Sequence, residues 1–100
     1  MVAKEILLIN PILFPNPEDV NYTRRELERL GKILRKRGEA FFPRLQAAIL
    51  KCSESNIQNF NEAIETADID WRDTLAQAGF SMDIQKHLGW IENQKEHKDN

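Results

Sequence analysis

Apolar residues recur along most of this chain at helical spacing. Leu27, Leu30 and Leu34, with Ile33 beside them, fall at i, i+3 and i+7 and set one stripe. Ahead of them, Thr23 and Glu26 have the spacing of a capping box, and Tyr22 and Leu27 that of a hydrophobic staple. Gly38 stands where a left-handed residue closes a helix, just behind Arg35, Lys36 and Arg37 at the negative end of the dipole. These signals predict a helix over 24–37. Phe41, Leu45, Ala48, Ile49 and Cys52 make one face of a second helix over 41–52, with Pro43 in its first turn, where the missing N–H costs little. Ile57, Phe60 and Ile64, joined by Ala63 and Ala67, predict a third over 56–66, with Ser55 and Gln58 spaced as its capping box. Asp70 and Asp73 mark the start of a fourth over 71–78, lined by Trp71, Leu75 and Ala78 and stopped by Gly79. Ser81 is the expected cap of a fifth over 82–93, carried by Ile84, Leu88 and Ile91.

The first twenty residues break the pattern. Ile6 to Ile9 is a short aliphatic run, and Pro11, Pro15 and Pro17 exclude a continuous helix beyond it. Residues 1–20 therefore read as an extended arm, laid on its own bundle or paired with a second copy in a homodimer, with a helix over 2–9 as the alternative. From Asn93 the apolar period is lost, so 94–100 reads as a frayed polar tail. The fold expected is all-α: a compact bundle of about five short helices in one domain over 21–93, with an extended N-terminal arm. Gly31 costs that first helix about 1 kcal/mol against alanine, so a close approach by the arm or a second subunit is expected there.

Composition narrows the setting. No apolar run is long enough to span a membrane. Ile6 to Ile9 is also too short for the core of a signal peptide. The one cysteine, Cys52, has no internal partner, which suits a reducing compartment and makes the cytoplasm the expected location. Charge is unevenly spread. Residues 20–44 hold eight basic against three acidic residues, and residues 53–100 hold ten acidic against four basic. Arg25, Arg29, Lys32 and Lys36 lie opposite the leucine stripe at about 100° per residue and form a basic ridge, whose negative partner is the acidic half of this same chain, an acidic protein surface or a nucleic-acid backbone.

Catalytic chemistry finds little support. Cys52 sits on an apolar stripe, where a thiol stays protonated, and His87 is the one imidazole within a predicted helix. Asp83 and His87 share a helix face, but a metal site wants three or four ligands, and no second histidine or cysteine stands at a suitable spacing. Glu62 with Glu65, and Asp70 with Asp73, read as a solvated face and a helix cap. The four glycines are isolated, so no phosphate loop exists. Leu75 to Ser81 fits a helix-turn-helix poorly, with leucine where a small residue is wanted and no arginine in the following helix. No enzyme, metal or cofactor is expected. The expected function is a small cytoplasmic protein-binding adaptor, inhibitor or regulator that meets an acidic protein surface. Its contacts are Arg25, Arg29, Lys32 and Lys36, with Phe42 and Trp90 as apolar anchors on helix flanks. A nucleic-acid-binding regulator using the same ridge is the alternative.

Overall fold

The computed structural model describes residues 2–97, and side chains through residue 96. Its elements are α1 (Lys4–Leu13), α2 (Pro17–Lys36), α3 (Pro43–Ser53), α4 (Ile57–Ala78) and α5 (Lys86–His97). All the regular structure among the described residues is helical, giving a small all-α bundle. α3 is its axle. Every residue from Leu45 to Leu50 is buried, so α3 is enclosed on all sides and not on the one face that its stripe predicts. α4 packs most extensively along it, α1 and α5 also touch it, and α2 bridges α1 and α4. The outer helices therefore follow one another around α3 in the order α5, α1, α2, α4.

The expected arm is a helix. Residues 4–13 form α1, which turns Ile6 and Ile9 into the core and contains Pro11 in its last turns. The other two prolines do not oppose it. Pro15 lies in the break after α1, and Pro17 opens α2 at a position where no backbone donor is needed. Side-chain amides fasten this helix to the bundle. Gln46, buried on α3, accepts from the Ala3 amide at 2.7 Å and donates to the Phe41 carbonyl at 3.0 Å. Asn10 donates to the Val20 carbonyl at 3.3 Å and accepts from the Thr23 hydroxyl at 3.0 Å.

That last bond corrects the start of α2. Asn16 is the cap, accepting from the Glu18 amide at 2.9 Å, so α2 begins seven residues before the expected helix. Thr23 is not a cap but a fully buried interior residue, its hydroxyl shared between Asn10 and the Asp19 and Val20 carbonyls. Tyr22 staples nothing locally; it reaches Asn61 on α4 at 2.6 Å and lies edge-on to Phe60. Glu18 and Asp19 now occupy the first turn, where acids favour the dipole.

The helix stops fall where the glycines put them. Gly38 and Gly79 have φ of +78° and +80°, and in both places the next amide reaches back to the carbonyl five residues earlier: Glu39 to Leu34 and Phe80 to Leu75. Gly31 accommodates neither an arm nor a subunit. A Cβ there would lie 2.9 Å from the Phe41 ring, so the glycine lets that ring rest against the α2 backbone. The third and fourth predicted helices are the two arms of α4. Asp70, at φ −154° and ψ 102°, breaks α4 between them, and its carboxylate accepts from the Arg72 amide as a cap does. Asn56, not Ser55, caps the first arm, by accepting from Asn59 N at 3.0 Å.

α5 departs furthest from its stripe. Asp83 and not Ser81 holds its approach, accepting from the Gln85 amide at 2.8 Å. The helix then begins at Lys86, and its inward face is His87 and Ile91. Ile84 and Leu88, expected in the core, are exposed. The helix also runs through His97, past the point where fraying was expected; residues 98–100 of the predicted tail lie outside the described residues.

Candidate protein-binding surface

α2 spans the width of the bundle, and its buried stripe decides which way its charges point. With Leu27, Leu30, Gly31 and Leu34 buried, the remaining positions divide into two flanks. One flank turns towards α4. Tyr22, Glu26 and Arg29 line a cleft there with Asn61 and Glu65, and Arg37 forks onto the carbonyl and carboxylate of Asp68. Arg29 is bidentate to Glu26, at 3.0 and 3.2 Å, and that hydrogen bond holds its guanidinium more firmly protonated. This flank is neutralised within the molecule.

The other flank is not. Arg25, Lys32, Arg35 and Lys36 are exposed, and none forms an ion pair among the described residues. Arg24 beside them pairs loosely with Glu28 at 3.8 Å. Lys32 and Lys36 stand one turn apart, a like-charge spacing that costs the helix a few tenths of a kcal/mol. The early helix start removes one source of strain, because Arg24 and Arg25 lie mid-helix and do not oppose the positive end of the dipole. Three of the four ridge residues expected from the sequence thus share an open face. Arg29 is exposed as well but paired to Glu26, and Arg35, outside the expected four, is exposed without an ion-pair partner among the described residues. Glu26, at i−3 from Arg29, forms the ion pair that its spacing expects.

The two expected anchors are engaged inside the molecule. Phe42 caps the start of α3, stands edge-on to Trp71 at 5.5 Å, and carries the Arg44 guanidinium over its ring. Trp90 packs against Phe80 at 6.3 Å. Trp71 itself donates to Glu39 at 2.8 Å. Both anchors are half-buried at the core edge, and Arg44 spans the gap between them by donating to the Phe80 carbonyl. Lys51 does the same for Ala78 at 2.8 Å, so two cations of α3 complement the negative end of α4.

The residues considered for catalysis are spread over separate environments. Cys52 is half-buried with its sulfur facing the Thr74 carbonyl at 4.0 Å, and burial pushes its thiol up against the opposing pull of Lys51. It lines a cleft of about 360 Å³ with Glu54, Asn59, Glu62, Thr66 and Gln77. His87 does not line that cleft. Its ring stacks edge-on to Phe80, its buried Nδ1 has no hydrogen-bond partner among the described residues, and burial followed by the positive charge of Arg44 holds it below the usual imidazole range. The Asp83 carboxylate is used by the turn before α5. Among the described residues no three histidine, cysteine or acidic side chains gather as a metal site, and no helix is long and apolar enough to cross a membrane.

The chain matches no family model, and comparisons with curated proteins and with solved structures return no match.

Proposed function

We propose that this protein is a non-catalytic cytoplasmic adaptor, inhibitor or regulator that docks an acidic protein surface on the outer face of α2. One observation carries the reading: Arg25, Lys32, Arg35 and Lys36 are held side by side in water on a rigid helix, with no carboxylate paired to them among the described residues. Like charges at this spacing repel, and an opposing negative surface relieves the repulsion while steering its own approach. Phe42 and Trp90 pack against Trp71 and Phe80 and stay partly exposed, and the reading rests on the cations rather than on these two rings. The single cysteine supports a reducing compartment.

The test is affinity capture from the native host with the wild-type chain and with the Lys32→Glu, Lys36→Glu double variant. A partner with an acidic patch should be retained by the first and lost by about tenfold or more by the second. Equal retention overturns the reading. Binding of duplex or single-stranded nucleic acid, weakening with salt at a log–log slope near −0.7 to −0.9 per phosphate contact, would instead assign the ridge to a nucleic-acid backbone.

A further inference from the structure

Six large apolar side chains are exposed among the described residues, and five of them lie in two places. Leu7 and Leu8 are 42% and 53% exposed on α1, and Met82, Ile84 and Leu88 are 96%, 70% and 49% exposed on α5 and the turn before it. α1 and α5 pack against each other, and both rest on α3. Their outward sides are therefore neighbours on one surface. α1 is apolar almost all round: Ile6 and Ile9 face the core, while Leu7, Leu8 and Pro11 face water. A helix of that kind is normally covered on both sides.

We propose that this surface is the seam of a homodimer, with α1 and α5 of one copy meeting α1 and α5 of the other about a two-fold axis. Charge selects the occupant. The ionisable residues that flank the exposed apolar side chains are Lys4, Glu5, Asp83 and Lys86, with Glu92 and Lys95 paired to each other one and two turns beyond Leu88, three of each sign. A face so balanced meets itself without forcing like charges together, as a two-fold contact requires. A strongly acidic or basic partner gains nothing there. The open face of α2, by contrast, would repel its own copy. Gly89 fits the same picture. It lies inside α5 with open space where a side chain would be, so nothing within the molecule calls for a glycine there, whereas a neighbouring helix could approach closely.

A face two short helices wide falls below the roughly 800 Å² per partner of a standard interface, so the dimer is a weak one, with a dissociation constant on the order of tens to hundreds of micromolar. Sedimentation equilibrium of the full chain, up to about 1 mM, tests it. The expected result is a monomer–dimer equilibrium that persists in high salt, because burial of apolar surface is not screened as charge pairs are. Leu8→Glu and Leu88→Glu should each weaken association by about tenfold or more. Both positions are half exposed, and an unchanged far-UV circular dichroism spectrum would show that the fold survives. Lys32→Glu should leave association unaltered, which separates this seam from the docking face of α2. A purely monomeric mass at the highest concentration overturns the proposal. So does open-ended assembly, dispersal of the dimer by salt, indifference to either leucine substitution, or loss of the dimer in Lys32→Glu.

Discussion

The outer side of α2 and the outer sides of α1 and α5 are both open to water, yet they are built on opposite rules. On α2, Arg25, Lys32, Arg35 and Lys36 are exposed without an ion-pair partner among the described residues, and Glu18 and Glu28 are the exposed acids beside Arg24. On α1 and α5, aliphatic side chains face outward as well as inward, and the few charges beside them cancel. As a docking face, the first would select its partner by charge and repel its own copy. The second has no sign to discriminate with and relies on the removal of apolar area from water. In a chain of one hundred residues, the two arrangements allow two contacts that do not compete.

The comparison can be broken at its common support first. Ile49 is fully buried in α3, the helix on which α1, α4 and α5 all pack. Ile49→Ala should lower the unfolding free energy by about 2–5 kcal/mol, as measured by urea denaturation, and weaken both faces together. Next in size is Gly31→Ala, which acts on the α2 side alone. Helix propensity returns about 1 kcal/mol, but a Cβ 2.9 Å from the Phe41 ring forces that ring to move. Overpacking costs about 1–3 kcal/mol, so a net loss of stability is expected, with a lowered urea midpoint.

On the α5 side the break is made with acid. His87 is less basic in the folded chain than its ordinary value of 6.5, because burial and Arg44 oppose its charge against the weaker pull of the Ile84 backbone and Asp83. The unfolded chain then binds the proton more readily. The stability that neutral His87 supplies is present above pH 6.5 and lost as the pH falls through its lower folded value. Stability measured against pH should show this loss in the wild type, and His87→Phe should remove that component. The smallest effects sharpen the contrast. Lys32→Glu and Leu8→Glu should each change folding stability by no more than about 0.5 kcal/mol, so that any change in association reports on the surface itself.

Much of the bundle was legible in the sequence because its signals are local. The stripes of α3 and α4, the glycine stops and the break at Asp70 all depend on neighbours within one or two turns. The failures came where two local signals competed and a distant residue chose. Thr23–Glu26 and Asn16–Pro17 both offer a helix start, and the buried Asn10, thirteen residues before Thr23, decides between them by claiming the Thr23 hydroxyl. Pro11 argued against α1, but the helix ends soon after it, and Gln46 on α3 holds its first turn. For α5, periodicity favoured Ile84, Leu88 and Ile91. The Asp83 turn set the actual start, so that His87 took the inward place. The charged face was legible as a ridge, but its two flanks were not. Which arginine turns towards α4 depends on where α4 packs.

Asp70 interrupts α4 at a point where its hydrogen-bond ladder is already open. An extra residue inserted within either arm would rotate everything beyond it by about 100° and carry half a seam into solvent. Inserted at the break, the same residue meets no continuous ladder and can be taken up by the loop geometry already there. The bend is thus an expansion joint, the place along α4 where the chain can change length while Phe60 and Leu75 keep their partners.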